Sequence, residues 1–348
     1  MTMLPTIWFI LIAVLWLGYL FLEGFDLGVG MRLFFLTRKE ADKRVMLNAI
    51  GPVWDGNEVW LVTAIGATFA AFPFWYGSLL SALYLPMVFV LLGLIFRAVA
   101  IEYRGKGTSD RWRRGWDAAL GLGSLVAAFG IGATLALTTT GLPLNANGDR
   151  VGGAFAWLTP WAIVGGLAVV GFALAHASVF LALKTDGPVR VAGRRFAGLV
   201  GPIALIPLAV WLIGVQLRTG NPVTWVIAIL AIAVAVGAWF ANRAGREGWA
   251  FVSLGFALAL TVGAIFAASY PVVLPSTIDA RFDLTVANAS STPYTLSVMS
   301  VVAGFGVPLV LAYQAWTYWV FRKRVSATQL PAAHPVEAAV RRPMEQHP

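Results

Sequence analysis

The chain has 348 residues, of which 59% are apolar and only 12% are charged, and its mean hydropathy is +0.78. Soluble domains are about 45–50% apolar and about 25% charged, so this chain lacks the polar surface that a globule in water needs. The composition therefore predicts an integral membrane protein. The sequence contains no cysteine, which excludes disulfides, iron–sulfur clusters, thiolate zinc sites and covalently attached c-type haem.

Nine segments meet the requirement of about 20 mostly apolar residues for a transmembrane helix. They span about 7–36, 48–72, 75–101, 116–140, 155–183, 197–217, 222–241, 249–270 and 294–321. Their apolar runs do not alternate with polar residues as the strands of a membrane β-barrel do, so we predict an all-α membrane domain over 1–324. Residues 325–348 are rich in Ala, Pro and Arg without an apolar period, and this composition predicts a disordered cytoplasmic tail.

The distribution of basic residues along the chain sets the orientation. Twenty Lys and Arg residues lie in the loops on one side and in the tail, against three on the other side, Arg150, Arg218 and Arg281. The N-terminus is therefore predicted outside the cell and the C-terminus in the cytoplasm. Because topology accounts for the formal charge of +9, no nucleic-acid partner is implied.

A short repeat favours a division of the helices into two halves. Residues 24–27 (GFDL) in the first helix are echoed by residues 171–174 (GFAL) in the fifth. Both helices run from the outside to the cytoplasm in the predicted topology. The echo fits two four-helix bundles followed by one additional helix.

Two pairs of acidic residues lie inside predicted helices, where an ionised side chain costs about 2.5–3.5 kcal/mol on insertion scales. Glu23 and Asp26 are three residues apart and share a helix face, as do Asp55 and Glu58 in the next helix. Four carboxyl groups at similar depth cannot all be ionised without a cation or a path to water, which favours a proton relay or a cation site. The structural alternative is that they hold helices together by hydrogen bonds, with Trp54 as a neighbouring donor.

Three further polar residues are candidates for supporting roles. Arg97 and Glu102 lie near the cytoplasmic end of the third helix, where a simple interfacial ion pair is the main alternative to a functional role. Of the three histidines, His334 and His347 lie in the tail, which leaves His176 as the intramembrane candidate. A packed, hydrogen-bonded histidine is favoured over a haem ligand there, because bis-histidine ligation needs two.

Several of these motifs carry a family resemblance. Residues 23–30 (EGFDLGVG) and 51–60 (GPVWDGNEVW) resemble the first two helices of subunit II of the cytochrome bd quinol oxidases. Residues 96–97 (FR) with 102–104 (EYR), and Trp112 with residues 116–117 (WD), resemble the end of that family's third helix and the start of its fourth.

The resemblance implies a complex in the bacterial cell membrane that oxidises membrane quinol and reduces O₂ to water with protons from the cytoplasm. It places two b-type haems, one d-type haem and the quinol-oxidising loop in subunit I. Subunit II is then haem-free, packs against subunit I, shares its fold of two four-helix bundles plus one helix, and contributes a hydrophilic path. A structural quinone in this chain and small single-helix accessory subunits are left open.

Residue by residue, Asp26 and Asp55 match acidic positions that the family uses for proton conduction, with Glu23 beside them. Glu58 stands where relatives also have Gln, which makes its role less certain. Two rivals are a proton-coupled secondary transporter, which would use the same buried acids, and a purely structural partner of subunit I. The expected function is a haem-free subunit that stabilises subunit I and conducts protons.

Overall fold

The computed structural model describes residues 3–107 and 109–329. The described chain folds into fourteen α-helices: α1 (Leu4–Phe35), α2 (Glu40–Ile50), α3 (Trp54–Ala71), α4 (Pro73–Ala82), α5 (Tyr84–Tyr103), α6 (Asp110–Thr140), α7 (Pro160–Lys184), α8 (Gly187–Leu199), α9 (Gly201–Ala204), α10 (Ile206–Thr219), α11 (Pro222–Arg243), α12 (Glu247–Ser269), α13 (Val286–Ala289) and α14 (Pro293–Val320). The described chain also has three 3₁₀ turns: Arg104–Lys106, Ala280–Phe282 and Ala327–Gln329. Two short antiparallel strands complete it, β1 (Val272–Leu274) and β2 (Leu284–Thr285).

Eight helical segments of the described chain are long and apolar enough to cross a membrane. They correspond to eight of the nine predicted spans. The exception is the predicted span 48–72, whose helix α3 carries Asp55, Asn57 and Glu58 in its first two turns. These polar groups lower its hydropathy, so α3 is the helix with the clearest need for polar neighbours.

Prolines divide three of the segments that were predicted as continuous helices. Residues 51–53 (GPV) separate α2 from α3, and the chain breaks at Leu83 because Pro86 has no N–H for the carbonyl of Ala82. Pro202 and Pro207 begin α9 and α10, so the predicted helix 197–217 consists of three pieces. The helix predicted from residue 155 begins at Pro160 instead, where Pro occupies a favoured first-turn position.

Helix α1 lies at the centre of the fold and contacts α3, α6, α7, α12 and α14. Small residues allow the closest approaches, as expected where helices pack without a hydrophobic driving force. Gly28 of α1 lies against the carbonyl of Ala173 in α7, and Gly132 of α6 lies against the carbonyl of Gly165 in α7. The tight packing fixes the depth of α1 relative to its neighbours.

The segments at one end of the bundle, here called the cap end, contact one another. Residue Ser291 donates its backbone N–H to Ala71, Leu142 bridges to Ser276, and Arg218 donates to the carbonyl of Thr140. The segment 271–293, which connects α12 to α14, contains both strands and α13. It forms an ordered cap over this end.

The opposite end, here called the basic end, is joined by ion pairs between segments that were predicted as loops. Two of these segments are helical, α2 and α8. Arg104 pairs with Glu40, and Arg190 pairs with Glu247, each at 2.8 Å. Val325 forms a β-bridge with Thr185, so the first residue of the predicted tail is attached to this end, whereas residues 330–348 lie outside the described part of the chain.

Gly28→Ala is expected to lower the free energy of unfolding by about 1–3 kcal/mol, since its Cβ would collide with the carbonyl oxygen of Ala173. The matched control is Gly263→Ala in α12, whose Cβ would meet no atom within 4 Å. Thermal unfolding of the purified protein, followed by tryptophan fluorescence, measures both. Equal midpoints for the two variants would contradict the packing described here.

Candidate functional site

The candidate site begins on α1, which buries two carboxylic acids on one face. Glu23 and Asp26 are both 0% exposed. They are separated by three residues, nearly one helical turn, so their side chains project in similar directions. The long apolar helix α1 therefore places two ionisable groups in the interior of the bundle.

Arg97 of α5 supplies the positive charge that faces these acids. Its Nη2 atom lies 2.7 Å from Glu23 Oε1, and its Nη1 atom donates to Glu58 Oε2 of α3 at 3.1 Å. Arg97 is fully buried, on the same face of α5 as Val90, Gly93 and other small or apolar residues. One guanidinium thus joins three helices.

Asn57 of α3 connects Asp26 to the last helix. Its Nδ2 atom donates to Asp26 Oδ2 at 2.6 Å and to the backbone carbonyl of Leu22 at 3.2 Å. Its Oδ1 atom accepts from Tyr318 at 2.8 Å and from Gln314 at 3.3 Å, both on α14. Because Asn57 uses its donor side toward α1 and its acceptor side toward α14, the amide orientation follows from its neighbours.

The charges and hydrogen bonds of this site are not balanced among the described residues. Three carboxyl groups, those of Glu23, Asp26 and Glu58, face the single guanidinium of Arg97. The Oε2 atom of Glu23, the Oδ1 atom of Asp26 and the hydroxyl of Tyr19 are buried without a hydrogen-bond partner. Buried polar groups are normally satisfied, so free carboxylate oxygens at this density mark a place for protons, water or further donors.

Asp55 does not join the other three carboxyl groups. It lies in the first turn of α3, is exposed, and makes no ion pair with a described residue. Its depth is nevertheless that of the buried acids, because its neighbour Asn57 contacts Leu22 and Asp26, about 20 and 13 Å before the end of α1 at Phe35. An exposed carboxylate at this depth requires water or another protein chain beside it.

Two supporting residues also lie apart from the cluster. Trp54 begins α3 and is half-buried, whereas Glu102 is exposed on α5. The predicted ion pair between Arg97 and Glu102 is absent from the described ion pairs, since Arg97 turns inward to Glu23 and Glu58. The sequence marks Arg97 as a candidate, and the burial of its helix face determines which residues it contacts.

His176 occupies an aromatic pocket rather than the acidic site. Its Nε2 atom lies 3.0 Å from the carbonyl oxygen of Phe21. Its ring stacks on Phe172 and Phe251 at centroid distances of 5.0 and 4.7 Å. Among the described residues, no group of three His, Cys, Asp or Glu side chains could hold a metal ion.

Gln314 and Tyr318 are the site residues that sequence reasoning missed. They are four residues apart on α14 and therefore share one face, the signal that could have found them. Trp60 of α3 adds a hydrogen bond to Gln314 at 2.8 Å. The sequence shows a polar pair on an apolar helix. It does not show that the pair contacts Asn57, which lies more than 250 residues earlier in the chain.

A second ionic network lies at the basic end. It differs from the acidic cluster because its positive and negative charges are equal in number. Arg104 contacts Asp117 at 2.5 Å and makes two hydrogen bonds to Glu40, while Lys43 contacts Asp117 at 2.8 Å. Two cations and two anions are present. The equal numbers and the contacts between α2, the turn after α5 and α6 indicate a structural tie rather than a relay.

Arg97→Gln is expected to destabilise the protein by about 3–5 kcal/mol, because it leaves Glu23 and Glu58 without their counter-charge in the interior. The control is Arg113→Gln, since Arg113 pairs with the exposed Asp110 on the surface. Thermal unfolding and the yield of folded protein measure the effect. Adding Glu23→Gln to Arg97→Gln should recover part of the loss; no recovery would argue against the buried ion pair.

Comparisons with known proteins find similarity over nearly the whole chain. Residues 4–321 match the family model described as cytochrome bd terminal oxidase subunit II. Cytochrome bd ubiquinol oxidase subunit 2 of Bacillus subtilis (strain 168) is 41% identical over 332 residues, covering 94% of this chain and 98% of that protein. Cytochrome bd-I ubiquinol oxidase subunit 2 of Escherichia coli (strain K12) is 32% identical, covering 92% and 94%.

The fold is also similar to one chain of the bd oxidase structure from Geobacillus thermodenitrificans. The TM-score is 0.69 at 20% identity, and the match covers 92% of this chain and 99% of that chain. Together with the eight apolar helices, these similarities identify a multi-pass bacterial membrane protein. The chain belongs to the family of cytochrome bd terminal oxidase subunit II, a subunit of an oxidoreductase complex.

Proposed function

We propose that this chain is the haem-free subunit of a complex that oxidises membrane quinol and reduces O₂ to water, and that it conducts protons through Glu58, Glu23 and Asp26. Two b-type haems and one d-type haem belong to subunit I in this proposal. The observation that carries it is the buried, charge-unbalanced cluster around Arg97, with the exposed Asp55 one turn from Glu58 on α3.

The surroundings of His176 support the assignment of the haems to subunit I. One ring nitrogen is engaged with the carbonyl of Phe21, and the ring faces are covered by Phe172 and Phe251. A porphyrin would need the space that these side chains fill. His176 therefore serves packing between α1, α7 and α12.

A partner subunit is supported by the surface that α14 and α3 expose. Leu296 is the buried residue of α14, while Phe305 and Leu309 are 80% and 73% exposed. Lipid could cover these apolar side chains, but the exposed carboxylate of Asp55 on α3 would cost about 2.5–3.5 kcal/mol facing lipid. We infer that subunit I covers this face, which also gives the present chain its stabilising role.

Nine spans in two four-helix bundles plus one helix, with α3 as the second span, remain our proposal for the membrane topology. Contacts at the cap end join the segments that follow α3, α6, α10 and α12, and contacts at the basic end join those that follow α1, α5, α7, α11 and α14. This grouping is what nine alternating crossings require. The Lys and Arg bias assigns the basic end to the cytoplasm.

Single-cysteine labelling tests the topology cleanly because the natural sequence has no cysteine. Thr277→Cys, exposed at the cap end, should react with a membrane-impermeant maleimide in intact cells. Lys39→Cys, exposed at the basic end, should react only after the membrane is permeabilised. Labelling of both, or the reverse pattern, would contradict nine spans with the N-terminus outside.

The proposed proton path follows from the cost of the uncompensated charge. An ionised carboxylate in the interior loses its hydration, a penalty of several kcal/mol per ion unless a partner repays it. Arg97 can offset one such charge, so bound protons are the available means to neutralise the others. The three acids can then exchange protons with water that reaches Asp55, and the free oxygens of Glu23 and Asp26 are the acceptors.

Asp26→Asn should slow quinol-driven O₂ consumption by at least about tenfold, because the amide keeps the shape but cannot carry a proton. Glu58→Gln should slow it less, because relatives also have Gln at this position. Asp55→Asn should give a smaller loss, since Asp55 lies at the outer side of the cluster. Asp110→Asn, an exposed carboxyl at the start of α6, is the control. Turnover and proton uptake are measured with the assembled complex in liposomes.

The purely structural rival makes the opposite prediction for the same variants. If the acids only hold helices together, assembled complexes with Asp26→Asn or Glu58→Gln should keep wild-type turnover while their thermal midpoints fall. Normal turnover and normal proton uptake in both variants would refute the path and leave the assignment to the oxidase intact.

A further inference from the structure

A second feature lies on the opposite flank of the protein from α14. A cavity of about 410 Å³ opens between α7, α10, α11 and α12. This volume lies within the roughly 300–1,000 Å³ range of small-molecule sites. It is called the α11 cavity below. Its lining runs along α11 from Asn242 to Ala231, a distance of about 16 Å.

The α11 cavity is apolar and opens at the side of the bundle. Its lining is dominated by alanine and aliphatic side chains, including Leu205 and Leu212. Ile206 and Val236 at its rim are 54% and 48% exposed, so the cavity is accessible from the side of the bundle. A long hydrocarbon chain is the ligand that matches this shape and lining.

One end of the cavity carries a buried polar group without a complete set of partners. Asn242 lines the cavity and is 2% exposed. Its Nδ2 atom donates to the backbone carbonyl of Arg194 at 3.1 Å, while its Oδ1 atom has no hydrogen-bond partner within residues 3–107 and 109–329. A buried acceptor of this kind normally has a hydrogen-bond partner. A ligand with a hydroxyl or ammonium donor at this end would satisfy it.

Positive charge surrounds the same end. The guanidinium of Arg243 lies 4.9 Å over the ring of Trp239, which lines the cavity. Arg194 is already shared with Glu247, but no described carboxylate forms an ion pair with Arg195 or Arg243. Arg243 follows Asn242 in the chain, and Arg195 follows Arg194, whose carbonyl accepts from Asn242. Two exposed arginines next to the residues of this end are complementary to a phosphodiester that carries a hydroxylated head group.

We propose that the α11 cavity binds an anionic phospholipid of the phosphatidylglycerol type. One acyl chain fills the cavity from Asn242 toward Ala231. The phosphate lies between Arg195 and Arg243, and a head-group hydroxyl donates to Asn242 Oδ1. The site is separate from the acidic cluster, so it does not depend on the proposed proton path.

The test uses the complete complex, stripped of lipid in detergent and titrated with dioleoyl phosphatidylglycerol or dioleoyl phosphatidylcholine under native mass spectrometry. Phosphatidylglycerol should fill one tight site. Ala235→Phe, which places a ring into the cavity from its half-buried lining position, should abolish that site. Ala233→Phe, on the same helix but exposed and outside the lining, should leave it intact.

The head-group contacts are tested separately. Arg195→Gln combined with Arg243→Gln should weaken the binding of phosphatidylglycerol by roughly tenfold and leave the binding of phosphatidylcholine unchanged. Equal affinity of the wild-type complex for the two lipids would overturn the proposal, as would undiminished binding by Ala235→Phe. It would also fail if the molecule extracted from the wild-type complex and missing from Ala235→Phe were a neutral isoprenoid.

Discussion

The buried guanidinium of Arg97 is the interaction on which the acidic site depends. Its contacts at 2.7 Å with Glu23 and 3.1 Å with Glu58 bring α1, α3 and α5 together around charges that the surrounding apolar residues could not accept alone. A buried ion pair of this kind is weak evidence that the fold is stable, because the cost of desolvating the charges competes with the attraction between them. A surplus of carboxyl groups over cations costs more still unless bound protons neutralise it.

Asn57 has a complementary role, because its hydrogen bonds link the packing of α14 to the acidic site. The last helix has little buried surface of its own, yet Gln314 and Tyr318 both donate to Asn57, which in turn donates to Asp26. Charge, hydrogen bonding and helix position are therefore coupled through one amide. The balanced network of Arg104, by comparison, ties helices together without such coupling.

The sequence alone was sufficient for the membrane class and the all-helical fold, since hydropathy is a local signal. It also named Glu23, Asp26, Glu58 and Arg97 as candidates, since intramembrane charge is a local signal too, and the structure places these four residues close together. It missed the division of helices at Pro86, Pro202 and Pro207, because apolar composition continues across the breaks. It also could not separate Asp55 from Glu58. The two share a helix face in projection, but whether a face turns inward depends on helices that are distant in the chain.

The position of Gln314 and Tyr318 near the C-terminal end of the described chain has a consequence for biosynthesis. A ribosome releases α1, α3 and α5 long before α14. The three acids and Arg97 can meet as soon as α5 is inserted, but Asn57 gains its two donors only when the final helix arrives. Until then Asn57 lacks these two donors, so the site is complete only after α14 has been made and inserted.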